Sequence, residues 1–518
     1  MRKALAAVLL IAAWLRLDGL GAWLPIVGDE SIYLRWAEIA LHQGSWFVSL
    51  LDGKQPLSVW LQALSWWLAP DDPLWAGRLV STLAGVVATL GIFAVGRRVS
   101  GDAAGLAAAF LYAVCPYALL YDRLAHTDSL VNLAGVAVVY GSIAAFQSPE
   151  ASWRRGVVLG LALGLGYFAK ATALAFGLVP VAAAIMWGRG RSRRTVAALA
   201  IAFGVALVFP LLAKVATPRA PMMASASVIV HQTGFFPSFH EWMERPLAAA
   251  PANARLLAGY ARAYLTLPLS LAGLAAAGYL LWRRSPAATL VLAASVAPLA
   301  LQVLLLKLIF PSRYPFPHIW PWLLAVAVAA AELWDRYGNR RRVVAALLGA
   351  ALAAPVVAAG VGVVRAPAAW LHPEDAQTFA GSGPAAGFGI REAAEFLRQQ
   401  ARSGPLVLLT DPIWGPPADS MFIYLNQRDG IRVYEAWWTT IAGNYPILPP
   451  VPVELVRSQY ERVAAGWLDP RSLGRVFYVT ERAYTSPEAV AARQPAARLL
   501  ASFVKPNGRN AIDVYRLH

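Results

Sequence analysis

A single cysteine, Cys115, occurs in 518 residues, so no intrachain disulfide can form and any part outside the cell must fold without such staples. It lies within LYAVCPYALL, where a small buried hydrophobe is the simplest reading. Charge is also scarce. Asp, Glu, Lys and Arg make up 14% of the chain, against about 25% in an ordinary soluble protein. The shortage, with 58% hydrophobic residues, excludes a disordered chain, a collagen-like fibre and a small disulfide scaffold. Acids are fewest, 29 against 45 Lys and Arg, which leaves a net charge of +16. Nucleic acid is a poor explanation of that excess, because no basic stripe with interleaved aromatics is present.

What is present is apolar sequence in long runs, with a mean hydropathy of +0.51. A bilayer core of about 30 Å needs roughly 20 apolar residues per helix. Runs that meet or approach this occur at 4–22, 76–96, 104–121, 127–146, 156–169, 171–187, 195–214, 260–282, 287–310, 315–334 and 343–364. They predict a polytopic α-helical membrane protein of about 11–13 spans. Residues 57–69 (LSVWLQALSWWLA) are apolar but short, and read as a Trp-rich helix along the interface. With that segment left out, the basic clusters at Arg2-Lys3, Arg97-Arg98, Arg154-Arg155, Arg189 to Arg194, Arg283-Arg284 and Arg340 to Arg342 all fall on one side, the cytoplasm. The first helix lacks a clear small-x-small cleavage site and reads as an uncleaved anchor. Parity then assigns to the outside of the cell membrane a first loop, 23–75, a second large loop, 215–259, and everything after about 365.

The last segment, 366–518, changes character. FGIREAAEFLRQQA has a helical pattern, while PLVLLTD, RVYEAWW, RVFYVTE and IDVYRLH read as strands between Gly- and Pro-rich breaks. They predict a small extracytoplasmic α/β domain after a membrane domain over 1–365. Trp414, Trp437 and Trp438 there read as readily as core as acceptor contacts.

The few acids are informative by position. Asp29 and Glu30 begin a helix-like stretch, where the dipole favours acids, yet the pair also sits at the membrane interface, where ionisable groups are costly. Lys54 precedes the Trp-rich segment; a snorkelling anchor is the plain alternative. The run Tyr121-Asp122-Arg123-Leu124-Ala125-His126-Thr127-Asp128-Ser129 gathers two acids, an Arg and a His at one depth, which also suits a structural ion-pair cluster. Lys170 interrupts an apolar hairpin, and Arg313 and Tyr314 sit in a Pro-rich span start, FPSRYPFPH. Together these place Asp29, Glu30, Lys54, Asp122, Arg123, His126, Asp128, Lys170 and Arg313 at one membrane face. Cations there suit a lipid phosphate, and a carboxylate suits removal of a proton from a hydroxyl.

In this order the motifs VGDESIYLRWAEIALHQGSWFVSLLDGKQPLSVWLQALSWWLA, WAGRLVSTLAGVVATLGIFAVGRRVSG, RLAHTDSLVNLAGV, YFAKATALAFGLVPV and SRYPFPHIWPWLLA resemble the membrane glycosyltransferases of the C-fold superfamily. The resemblance is to the protein O-mannosyltransferase and aminoarabinose transferase group (families 39 and 83), over roughly residues 1–335. It implies an inverting transfer of a sugar from a polyprenyl-phosphate carrier to a hydroxyl of a protein, glycolipid or envelope glycan, at the outer face. It implies Asp29 as the first-loop acid with Glu30 adjacent, Asp128 as the second acid, and Lys54 as a contact to the carrier phosphate. Arg123, Lys170 and Arg313 are further candidates for that phosphate, and Tyr33, His126 and Tyr314 for donor or acceptor contacts. The aminoarabinose enzymes carry a metal-linked acid directly before the first-loop lysine; here Gly53 stands there, and a Lys-Pro-Pro pattern becomes Lys54-Gln55-Pro56. No clear ligand set for a divalent metal or other cofactor results, although His231 or His240 could serve as a ligand. A transporter or lipid flippase is the alternative class, but transporters gather polar groups near the midplane, whereas these collect at one interface.

Overall fold

The computed structural model describes the chain except residues 148–152, 188–191, 217–237, 307–309, 337–338, 412–414, 427, 436–473, 507 and 518. His231, Trp414, Trp437, Trp438 and most of the expected loop 215–259 lie outside the described residues.

The apolar runs fold as helices: α1 Arg2–Leu17, α2 Gly28–Gln43, α3 Leu57–Trp66, α4 Pro73–Ser100, α5 Asp102–Val114, α6 Pro116–Tyr121, α7 Asp128–Phe146, α8 Trp153–Ala169, α9 Leu178–Trp187 and α10 Ser192–Ala216. Further helices cover Ala250–Tyr264, Leu267–Trp282, Pro286–Leu305, Trp320–Arg336 and Asn339–Arg365. Among the described residues, six helices are long and apolar enough to cross a membrane, and a bent pair adds a seventh. Shorter apolar helices, such as α5, complete the bundle.

Two expected spans are broken. Residues 260–282 belong to two helices, Ala250–Tyr264 and Leu267–Trp282, which meet at 112°. Thr266 there has φ +65°, and Pro268 follows two residues on, so the ladder of the first helix does not continue. Residues 104–121 are interrupted at Cys115, in an extended conformation before Pro116. The short Trp-rich segment forms the 10-residue α3, about 15 Å long at 1.5 Å per residue, too short to cross. Trp67 and Leu68, at its end, are about 70% exposed, as suits an interface.

Small residues let these helices approach. A Cβ on Gly96 of α4 would lie 2.7 Å from the Gly105 Cα of α5, so neither position has room for a side chain.

After Arg365 the chain forms a five-stranded sheet in the order β2-β1-β3-β5-β4. Its strands are β1 Leu406–Thr410, β2 Ile431–Glu435, β3 Val476–Glu481, β4 Arg498–Val504 and β5 Ala511–Arg516. β1 pairs in parallel with β2 and β3, and β5 lies antiparallel between β3 and β4. β4 has no counterpart in the strands read from sequence. It is an edge strand whose apolar residues are exposed or half-buried, none of them fully buried.

The sheet unit is mounted on α2. Trp36 and Ile39 of α2 and Trp66 of α3 share one core with Leu397, Leu408 and Phe422 of the sheet unit. The backbone joins as well: Gly28 N–H donates to the Ala385 carbonyl (2.8 Å), and Gly387 N–H to the Ile26 carbonyl (2.9 Å).

Asp419, in the helix Ala418–Leu425, is buried beside this junction and accepts a hydrogen bond from Gly415 N–H (2.6 Å). Burial pushes its pKa up to about 7. The folded state therefore holds this proton at pH values where the unfolded chain has released it. Stability contributed by the protonated form is complete below the ordinary carboxyl value of 3.8 and is lost as pH rises towards about 7. Asp419→Asn is expected to be more heat-stable than the parent at pH 8 by a few degrees and equal to it at pH 4, measured by thermal melts in detergent.

Candidate functional site

The site is built in two layers. The deeper one consists of ion pairs with no access to solvent. Arg16 of α1 donates to Asp122 (2.9 Å). A Cβ on Gly85 of α4 would fall 2.2 Å from an Asp122 carboxylate oxygen, so only glycine leaves space for that pair. Arg78 of α4 binds Glu30 through two bonds of 2.8 Å. Its remaining donors reach the carbonyls of Leu20, Leu24 and Pro25. Glu30 also accepts from Ala125 N–H (2.7 Å) and Val27 N–H (3.1 Å). Burial opposes its ionisation, but the Arg78 guanidinium and these donors outweigh burial and hold its carboxyl below the usual range. Arg123 donates to the carbonyls of Leu15 and Asp18 and lies 4.6 Å from the Trp23 ring centre.

These contacts leave Glu30 and Arg123 different work from that expected of them. Both are wholly buried, and their polar atoms are directed at the protein. Glu30 ties α2 to α4 and to the 122–127 turn, and Arg123 ties that turn to the end of α1. Tyr33 is set apart too: its ring packs edge-on to Trp36 in the core beneath the sheet unit.

The upper layer reaches solvent at Asp29, Arg313 and Lys170, while Asp128 is buried behind them. Asp29, in the first turn of α2, pairs with Arg313; the two side chains are 36% and 25% exposed. Asp128, at the start of α7, accepts from Lys170 (2.7 Å). Lys170 interrupts the run between α8 and α9 in extended backbone, which turns its ammonium to this point. Between the two pairs stands Tyr314, its ring centre 5.1 Å from the Lys170 ammonium and 5.5 Å from the Arg313 guanidinium. Burial works against ionisation of Tyr314. Arg313, Lys170 and the exposed Lys54 together outweigh it and hold the phenol below its usual range. The chain thus brings Asp29, Arg313, Tyr314, Lys170 and Asp128 into one continuous array, with Lys54 near enough for its charge to act there.

His126 lies beneath, its ring against Tyr121 and Phe379. It is 2% exposed, and neither ring nitrogen has a hydrogen-bond partner. Burial lowers its pKa despite the nearby Glu30 and Asp128. His240, a possible ligand by sequence, pairs with Glu244 on an exposed helix (3.2 Å). Among the described residues, no three His, Cys, Asp or Glu side chains converge as a metal site would require.

Several residues escaped the sequence reading. Arg16 and Arg78 are arginines inside apolar helices, where an ionisable side chain signals buried function or structure. Asp375, in LHPEDAQTF after the last span, follows Glu374 and lies outside the acid clusters singled out in the sequence. Its Oδ2 accepts from Ser312 (2.6 Å) and from Tyr264, and Tyr121 in turn reaches the Ser312 hydroxyl.

An apolar cavity of about 530 Å³ opens between Ala250–Tyr264, Leu267–Trp282, Pro286–Leu305 and Trp320–Arg336. Leu265 and Leu269 line it at the 112° bend, and Ile319 lines it close in sequence to the Arg313–Tyr314 pair.

Comparison with known proteins agrees with this architecture. A family model described as dolichyl-phosphate-mannose-protein mannosyltransferase matches residues 53–213. The structure of ArnT from Cupriavidus metallidurans bound to undecaprenyl phosphate superimposes with a TM-score of 0.61, at 17% identity, over 98% of this chain and 97% of that one. The oligosaccharyltransferase AglB of Archaeoglobus fulgidus, in complex with an inhibitory peptide and a dolichol-phosphate, gives 0.54 at 13% identity, over 98% of this chain and 74% of that one. The arabinofuranosyltransferase AftD from mycobacteria gives 0.51 at 18% identity, over 100% of this chain and 42% of that one. No curated protein matches the chain significantly in sequence. The fold of this polytopic membrane protein is that of the C-fold glycosyltransferases, with a small sheet unit at the C-terminal end.

Proposed function

We propose that this chain, having the C-fold, is an inverting glycosyltransferase that moves a sugar from a polyprenyl-phosphate carrier to a hydroxyl acceptor at the outer face of the membrane. The observation that carries the reading is the array of two carboxylate–cation pairs flanking Tyr314, beside an apolar groove. One end of the array is charged and wet, while the groove is apolar, as a phosphate on an isoprenoid tail requires. ArnT and AglB were solved with such lipids.

In this mechanism the lipid phosphate competes with the two acids for Arg313 and Lys170. Arg313 can bind it through two parallel hydrogen bonds, and Lys170 and Lys54 add positive charge. Drawing Arg313 away leaves Asp29, the more exposed acid, free to act as a base. The acceptor oxygen attacks the anomeric carbon and passes its proton to Asp29. The bond from that carbon to the phosphate oxygen breaks on the opposite face, and its electron pair stays with the phosphate, where Arg313, Lys170 and Lys54 stabilise the added charge. Asp128 holds Lys170 in place and orients the acceptor. His126 and Tyr314 border the space the sugar would fill.

Purified protein in liposomes is to be supplied with polyprenyl-phosphate sugars extracted from native membranes and labelled in the sugar, together with the proteins, glycolipids or envelope glycans of the same membranes as acceptors. Transfer should release one polyprenyl phosphate per sugar moved. Movement of the intact lipid across the bilayer without that release would instead favour a flippase. Lys170→Ala is expected to raise KM for the lipid-linked donor by roughly tenfold, as loss of one charged contact to a phosphate would.

A further inference from the structure

We propose that Asp375 is a positioning residue that acts through Ser312 to set where Arg313 and Tyr314 stand. The inference rests on the reading of Arg313 as a ligand of the lipid phosphate. Asp375 lies in the turn Pro373–Asp375, beyond the last long helix, and is 5% exposed. Its hydrogen bonds go to Tyr264 and Ser312 rather than to the array, so a role in chemistry passes through a neighbour.

The hydrogen-bond directions show how. Tyr264 has one hydroxyl proton and gives it to Asp375, since its oxygen accepts from His372 N–H (3.1 Å). Ser312 also has one, and gives it to Asp375 (2.6 Å). Tyr121 must then donate to the Ser312 oxygen. Each donor in this chain is committed, and the carboxylate is the acceptor that closes it. The Ser312 carbonyl is held separately by the Tyr117 hydroxyl (2.6 Å).

Just upstream, the Tyr260 hydroxyl lies within hydrogen-bond distance of both the Phe310 carbonyl (2.8 Å) and Glu374 (2.9 Å). The segment Phe310–Tyr314 is therefore pinned by adjacent acids of one turn and by tyrosines of α6 and of the helix Ala250–Tyr264. The same network touches the other half of the array, because the Tyr121 carbonyl accepts from Ser129, next to Asp128 (3.1 Å). Burial pushes the Asp375 pKa up, while its two hydroxyl donors favour the charged form. A carboxylate enclosed in this way with its donors supplied is a rigid anchor for the loop that carries Arg313.

The test is a double-mutant cycle read by binding of undecaprenyl phosphate to purified protein. Asp375→Ala is expected to weaken binding on the order of tenfold, by displacing Arg313. Arg313→Ala should weaken it at least as much. The double variant should be no weaker than Arg313→Ala alone within about threefold, because the anchor has nothing left to position. Asp375→Asn, whose amide oxygen can accept from both hydroxyls, should recover most of the affinity.

Losses that multiply in the double variant, or unchanged binding by Asp375→Ala, would overturn the proposal. Should Asp375→Ala fail to fold, Ser312→Ala removes the same link and enters the same cycle. A parent protein that binds no undecaprenyl phosphate would instead defeat the reading of the site itself.

Discussion

Asp29→Asn is expected to lower sugar transfer by about 10²–10⁴-fold while leaving the protein as stable as its parent. Both halves of that result come from the same position. The side chain is 36% exposed at the start of α2, and its partner Arg313 is 25% exposed, so the pair contributes little to folding. Its value lies in accepting a proton, which the amide cannot do. Binding of undecaprenyl phosphate should hold or tighten, because Arg313 no longer divides its charge between an acid and a phosphate. Transfer retained within threefold of the parent would remove Asp29 from the chemistry, and Asp128→Asn would then be the next variant to assay.

Glu30→Ala, one residue further on, should do the reverse. It leaves Arg78 buried with its charge unpaired, a change that typically destabilises by about 3–5 kcal/mol. Three backbone carbonyls still hold that guanidinium in place, so it cannot swing out to water. Ala125 N–H and Val27 N–H also lose their acceptor. The expected outcome is a large fall in thermal midpoint and in monodisperse yield from detergent. Glu30→Ala with a normal melting profile would show that the ion pair contributes little, and would reopen a direct part for Glu30 in catalysis.

The contrast between neighbouring acids marks the limit of what can be read from sequence. Asp29 and Glu30 occupy the same motif and the same helix turn, and nothing in their spacing separates them. A helix turn rotates successive residues by about 100°, so one carboxylate faces the open end and the next faces α4. Only the location of Arg78 tells which is which.

Arg123 illustrates the same point, since an arginine beside outer-face acids suggests a phosphate until its guanidinium is seen on the Leu15 and Asp18 carbonyls. The pairings of Asp29 with Arg313 and of Asp128 with Lys170 were legible as a shared depth, because rare charges in an apolar chain gather where polar chemistry occurs. Span positions were legible from hydropathy. The break at Thr266 was not anticipated, although Pro268 announces it. β4 was missed because an exposed edge strand carries no alternation to read.

α2 belongs to two bodies at once. One flank packs beneath the sheet, and its first turn presents Asp29 to the membrane array. The seat of the sheet and the placement of the Asp29 carboxylate are therefore set by one helix. A substitution that loosens the core built on Trp36 and Ile39 is expected to be felt at the Asp29 side chain as well as in the strands.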